Sequence, residues 1–499
     1  MTHRIVVIGS GFGGLAAGIR LAAAGHDVTI VEKRDKPGGR AYVYAQDGFA
    51  FDGGPTVITA PWLITELFEL AGRDASQAVT LVPLDPFYRI FFDDGQHFDY
   101  AADVDRMREE IRRVSRVPSD IQGYDRFTAA TEKIFAKGFT ELATTPFLSP
   151  MDMVRVAPDL LRLKSYRTVY GLVSSFVKDE KLRQVLSFHP LLVGGNPFQT
   201  TSIYALIHHL ERTWGIWFAM GGTGAIIRAL VELFQDLGGT LMLASEATRI
   251  TVDGDKASSV QLIDGQLLPA DIVVCNAEVA RAYQTLVPAS AQSWLTRMAI
   301  RRMQHSMSLV VIYFGTNREY RSDPGSRLAH HNIILGPRYE GLLDDIFNRK
   351  VLSQDFSLYL HMPTLTDPAL APPGGEAFYV LAPVPNLAGN VDWDRAATPY
   401  RNLIMEFLEE RYLPGLSSHL VTERMIDPRH FRDELNSHLG AGFSIEPILT
   451  QSAWFRPHNQ SPDVPNLFFV GAGTHPGAGL PGVLSSAKIA ADLIGRASG

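Results

Sequence analysis

The stretch RIVVIGSGFGGLAAGIRLAAAGHDVTIVEKRDKPGGRA, residues Arg4 to Ala41, divides into parts with separate physical tasks. Ile5 to Ile8 is a short β-branched run suited to a buried parallel strand. Gly9, Gly11 and Gly14 follow as G-x-G-x-x-G. Leu15 to Ala24 is rich in Ala and Leu, reads as a helix and stops at Gly25; Asp27 to Val31 reads as a second strand ending at Glu32. In this order Gly9 makes the turn out of the strand, Gly11 admits a pyrophosphate to the backbone, and Gly14 lets helix and sheet pack closely. The helix N-terminus offers free N–H groups and about half a positive charge to the anion. Glu32 stands where a carboxylate accepts from ribose hydroxyls. A lone glycine motif is weak evidence, but here strand, helix, second strand and acid all fall into place, and the reading is a dinucleotide site.

Glu32 disfavours a 2′-phosphate. Directly after it come Gly38, Gly39 and Arg40, and the Arg40 guanidinium offers a fork of donors to phosphate oxygens. FAFDGGPTVI (Phe49 to Ile58) then adds a turn at Gly54, Pro55 and Thr56. This continuation resembles FAD proteins built like amine oxidases, carotenoid desaturases and GDP-dissociation inhibitors. In that class the far C-terminus returns to the FAD domain. Here NLFFVGAGT (Asn466 to Thr474) reads as a buried strand entering a glycine turn, and a helix follows from Ser485. The resemblance therefore adds Gly471, Gly473, Thr474, Gly482 and Val483 to the expected FAD contacts. VVCNAE (Val273 to Glu278) departs from the class, which has Asp where Glu278 stands.

The bulk properties narrow the rest. A chain of 499 residues is too long for one ordinary core, so two or three domains are expected. A net charge of −7 argues against a nucleic-acid binder. The single cysteine, Cys275, excludes an intramolecular disulfide and fits a reducing, cytoplasmic setting. No signal peptide or apolar run of spanning length is apparent. HExxH, GxSxG and paired-cysteine motifs are missing, so hydrolytic and metal chemistry lack a candidate, and no metal ligand is expected.

SFHPLLVGGNPFQTTSIYALIHHLER (Ser187 to Arg212), GIWFAMGGTGAI (Gly215 to Ile226), QSAWFRPHN (Gln451 to Asn459) and GAGTHPGAGLPGV (Gly471 to Val483) resemble the bacterial-type phytoene desaturases. The likeness runs from the first strand to the last loop. It implies an FAD enzyme that takes a C40 carotene from the bilayer and inserts double bonds by removing hydride and proton, giving neurosporene or lycopene. It further implies a peripheral membrane enzyme on the cytoplasmic face. With no second fingerprint for NAD, oxygen or a quinone is the expected electron acceptor. An FAD amine oxidase and a non-catalytic prenyl-lipid carrier are the rival readings. The first would want an acidic funnel, and the second has no need of Glu32 or Arg40.

A hydrocarbon substrate calls for an apolar tunnel. DPFYRIFF (Asp85 to Phe92) and FSLYLHMP (Phe356 to Pro363) alternate like strands able to line one. Asp152 and Arg155 stand i, i+3 in an apolar segment and are candidates for an acid–base pair, with a surface ion pair as the competing reading. His189, Glu446 and His475 are further candidates for a proton acceptor. Phe147 to Phe176, with Arg155, Arg162, Lys164 and Arg167 among apolar residues, is the candidate membrane-facing helix.

The expected fold is α/β, α+β overall. Residues 1–75, 215–283 and 463–499 form a discontinuous Rossmann-like FAD domain. Residues 76–105 and 284–462 form a mixed-sheet substrate domain. Residues 106–214 form a helical, membrane-associating region interrupted by Pro146, Pro150 and Pro158.

Overall fold

The computed structural model describes residues 2–323 and 325–498. Its first sheet is five-stranded and parallel. The strand order is Leu467–Phe469, Ile272–Cys275, Arg4–Ile8, Asp27–Val31 and Thr240–Met242. The strands thus come from the two ends and the middle of the chain. The central Arg4–Ile8 strand is buried on both faces, which is why it reads as an unbroken apolar run. Ile5 and Val7 face helices Phe12–Ala23, Thr223–Asp236 and Leu480–Ser498. Val6 and Ile8 face a three-stranded sheet formed by Ala247–Asp253, Lys256–Leu262 and Leu267–Pro269. A Cβ placed on Gly14 would lie 1.9 Å from the Gly9 carbonyl oxygen, so the first helix lies against the preceding turn only because that residue is glycine.

The second sheet has seven strands, in the order Leu420–Ile426, Ser308–Thr316, Glu376–Val384, Leu358–His361, His331–Ile334, Tyr88–Phe91 and His97–Tyr100. All neighbours are antiparallel except His331–Ile334 with Tyr88–Phe91. Both stretches read as strands from their alternation, Asp85–Phe92 and Phe356–Pro363, supply members of it. Side chains alternate strictly along its centre. Leu309, Val311 and Tyr313 face a cavity, while Val310, Ile312 and Phe314 pack with the helix Trp393–Arg411.

Between Val104 and Trp214 the chain is mostly helical. The expected Phe147–Phe176 helix is two pieces. Pro150–Arg162 forms one helix, the chain reverses near Lys164 (φ 58°), and Val169–Val173 forms a short second one. Pro150 opens the first helix, where its missing N–H costs nothing. Pro158 lies inside the helix and does not end it. The helix buries no residue, so a carbonyl freed by Pro158 can turn to solvent. Among the described residues no helix is long and apolar enough to cross a membrane.

Candidate functional site

A cavity of about 820 Å³ lies between the two sheets. One end is walled by backbone. Gly9, Gly11 and Gly13 border it, as do Gly39, Arg40, Gly54, Pro55 and Thr56. The other end is apolar, with Phe139, Leu142, Phe147, Phe188 and Leu191 among its walls. The inner face of the seven-stranded sheet, through Leu309, Val311, Tyr313, Tyr359 and Tyr379, is a third wall.

At the backbone end, Gly11 caps the Phe12–Ala23 helix without any side-chain acceptor, so that N-terminus is open to a ligand. Glu32 borders the same space. Its carboxylate accepts from Ser10 N (2.9 Å), Ser10 Oγ (2.6 Å) and Arg34 N (3.0 Å). Those bonds tie the glycine turn to the second strand and use three of its roughly four lone-pair sites, leaving one for a hydroxyl. Arg40 is a cation whose Nε donates to Gly442 O (2.9 Å) and Nη2 to Ser437 Oγ (3.2 Å). No described carboxylate stands within ion-pair distance, and burial pushes its pKa down. A half-buried guanidinium with no carboxylate at ion-pair distance, beside an open helix N-terminus, fits a diphosphate. A Cβ on Gly54 would lie 2.1 Å from Arg40 O, so the Gly54–Thr56 turn can press against the Arg40 backbone. These residues fit FAD.

The C-terminal loop contributes Gly471, His475 to Pro481, Gly482 and Val483 to the cavity wall. Gly473 and Thr474, expected as FAD contacts, do not border it. Thr474 is fully buried, its Oγ1 accepts from Asn459 Nδ2 (3.3 Å), and its carbonyl accepts from Arg456 Nε (2.9 Å). Arg456, also buried, donates to Ala472 O as well (2.6 Å), so these residues stiffen the loop from behind. Glu278 borders the cavity and N-caps the helix Val279–Thr285 through Arg281 N (3.0 Å).

Asp152 and Arg155 do not reach the cavity, a correction to the acid–base pairing. Asp152 Oδ2 accepts from Ser149 N (3.0 Å) and Leu148 N (3.2 Å), completing a capping box at the start of Pro150–Arg162. Arg155 approaches Asp152 at 3.4 Å with its side chain 74% exposed. Met153 and Leu160 of the same helix point the other way and do line the cavity.

The carboxylate that does reach the apolar part is Glu211, 1% exposed, on the helix Leu206–Trp214. Its Oε1 accepts from Tyr88 Oη (2.8 Å), and its Oε2 lies 3.1 Å from His189 Nε2. No described Lys or Arg pairs with it. Burial, reinforced by Glu211, holds the Tyr88 phenol well above its usual range. Sequence reading found His189 and missed Glu211, because an acid in HHLERTW looks like the wet face of an amphipathic helix. His475 also borders the cavity. Its Nε2–H donates to Leu142 O (3.0 Å), and burial pushes the imidazole down to about 4. Glu446 is buried but does not border the cavity; burial raises its carboxyl to about 7.

The profile of the flavin containing amine oxidoreductases matches residues 12–495. A lycopene-forming phytoene desaturase of Pseudescherichia vulneris is 51% identical over 493 residues, covering 98% of this chain and 99% of the relative. A neurosporene-forming phytoene desaturase of Cereibacter sphaeroides is 43% identical over 492 residues, covering 98% and 94%. Among solved structures, cyclohexylamine oxidase from Brevibacterium oxydans aligns over 100% of both chains with a TM-score of 0.62 at 16% identity, a likeness of fold.

Proposed function

The chain belongs to the flavin containing amine oxidoreductases and, within them, to the phytoene desaturases, and on that premise we propose that it converts phytoene to neurosporene or lycopene. The observation that carries the reading is the union, in one cavity, of a diphosphate-ready backbone end and an apolar end with one buried carboxylate held by Tyr88 and His189. An amine oxidase would need acid to hold a cationic substrate along its path, and the apolar wall of this cavity offers a hydrocarbon surface instead. A carrier would have no use for Arg40.

FAD, when bound, supplies the two-electron oxidant that takes a hydride from the polyene. The protein's own residues do the rest. The aromatic and aliphatic walls hold the chain extended and exclude water. Each new double bond also releases a proton from the neighbouring carbon. The proposed acceptor is Glu211, whose side chain is held in place by Tyr88 and His189. The electrons pass on to oxygen or a quinone.

The substrate comes from lipid. Burying forty carbons at about 0.8 kcal/mol per methylene exceeds the practical ceiling of about 18–21 kcal/mol for non-covalent binding, so phytoene is essentially absent from water. The supporting surface is the Pro150–Arg162 helix, which exposes Met151 (55%), Val154 (62%) and Leu161 (63%) while Met153 and Leu160 line the cavity. Phe455 stands exposed on the short turn packed against that helix. This face would rest on the cytoplasmic leaflet with the tunnel mouth against the acyl chains. Incubation of the FAD-loaded protein with phytoene in liposomes, followed by chromatography, tests the reaction; absence of any more unsaturated carotene overturns it. Met151→Glu with Leu161→Glu should release the protein from the vesicles, and undiminished co-sedimentation overturns the docking face.

A further inference from the structure

Behind the Tyr359 wall of the cavity sits a cluster of three buried histidines that the proposed reaction does not use. His331 and His361 are cross-strand partners on adjacent strands, with stacked rings 5.2 Å apart. His330 precedes the first of these strands, and its Nε2 lies 3.0 Å from His361 Nε2. One ring nitrogen from each of the three lies within 4.8 Å of the other two. The rings are between 0% and 5% exposed. One of their nitrogens, His331 Nε2, has no hydrogen-bond partner among the described residues. Buried polar atoms are rarely left so.

We propose that His330, His331 and His361 form a binding site for one divalent transition-metal ion of the zinc type. The donor set is all imidazole and carries no negative charge, which suits zinc, cobalt, nickel or copper and not magnesium or calcium. Zinc–nitrogen bonds of about 2.0–2.1 Å in a tetrahedron place donor atoms roughly 3.4 Å apart, a few tenths beyond the His330–His361 separation. The second nitrogens of two rings are already held: His330 Nδ1 by Thr366 Oγ1 (2.7 Å) and His331 Nδ1 by Tyr359 Oη (2.6 Å). Ligating histidines are commonly oriented this way.

The ion would have an effect inside the cavity. With Nε2 of His331 on the metal, its Nδ1 must carry the proton and donate to Tyr359. Tyr359 then donates to Thr56 Oγ1 (3.0 Å), and Thr56 to Tyr379 (2.7 Å). The metal would thereby set the direction of the hydroxyl chain on the cavity wall.

The test uses the full FAD-loaded chain, stripped with dipicolinate and titrated with Co²⁺ while absorbance is followed beyond the flavin bands. The expected result is one Co²⁺ per chain with tetrahedral d–d bands, displaced by Zn²⁺ and indifferent to Mg²⁺. His361→Ala should abolish the bands. Thr366→Val should weaken Co²⁺ binding about 10–100-fold, as outer-sphere losses do. FAD content and Tm report whether each variant folds, and His330→Ala substitutes for His361→Ala if that variant does not. A wild-type chain that takes up no stoichiometric Co²⁺ overturns the proposal, as does undiminished binding in a folded His→Ala variant. The readout is independent of desaturation, so its failure leaves the proposed reaction standing.

Discussion

Replacing Glu211 separates its chemical role from its structural one, because two substitutions remove the charge with different consequences for its neighbours. In Glu211→Leu, the Tyr88 hydroxyl and the His189 Nε2–H lose their acceptor in a fully buried place. Each stranded donor costs about 1–3 kcal/mol, so the loss is about 2–6 kcal/mol. Relief of the carboxylate's own desolvation offsets part of it. In Glu211→Gln, the amide oxygen still accepts from Tyr88 (2.8 Å in the wild type), and the amide N–H₂ meets a His189 that can adopt the other tautomer. The stability cost there falls to about 1 kcal/mol. The amide is no base, however, and loss of a general base slows a reaction about 10²–10⁴-fold. Denaturant melts give the two stabilities. Anaerobic single turnover with phytoene liposomes, following flavin bleaching and product by chromatography, gives the rate. A Glu211→Gln variant with the wild-type rate refutes the role of proton acceptor. Equal stability of the Gln and Leu variants refutes the hydrogen-bond network itself.

Three further outcomes follow from the geometry. Asp152→Asn leaves single-turnover rates unchanged because the carboxylate caps a helix outside the cavity, while Asp152→Ala costs about 1 kcal/mol in chemical unfolding; a slowed Asp152→Asn returns that residue to the chemistry. Arg40→Met removes a half-buried cation from the expected diphosphate position and should weaken FAD about 10–100-fold by flavin fluorescence titration, with retained affinity counting against the site. Glu446, raised by burial from 4.5 to about 7, holds its proton more tightly folded than unfolded. Its contribution to stability is therefore full below pH 4.5 and lost as pH rises through 7. Glu446→Gln should flatten that decline in denaturant midpoints taken between pH 5 and 8; parallel curves for the two proteins contradict it.

The nucleotide half of the molecule was legible because its chemistry is backbone chemistry. Gly9 stands where the turn needs a positive φ and Gly14 where helix packing forbids a side chain, Gly11 opens the helix between them, and Glu32 follows at the end of the second strand. The apolar half was less legible. Strand alternation marked Tyr88–Phe91 and Leu358–His361, but the face toward the cavity depends on partners far away in the chain. Glu211 was invisible for a related reason: an acid on a helix is ordinarily solvated, and only the packing of Tyr88 and His189 around it makes it a buried group. Asp152 misled in the opposite direction. An i, i+3 acid–arginine pair in an apolar segment resembles a buried pair, yet S-P-M-D is also a helix start, and local capping won. Thr474 was expected at the cofactor because it lies in the glycine loop, whereas its neighbours Asn459 and Arg456 draw it to the rear of that loop.

The strict alternation along Ser308–Thr316 makes that strand a ruler with two scales. Leu309, Val311 and Tyr313 border the cavity, so changes in their bulk reshape it. Val310, Ile312 and Phe314 lock the sheet to the helix behind, so changes there are felt as stability. The two sets interleave residue by residue, and the cavity-side set, itself buried in a core cluster, answers to both cavity shape and stability. The shape of the cavity can therefore be altered through one parity of the strand while the other keeps the sheet locked to the helix behind.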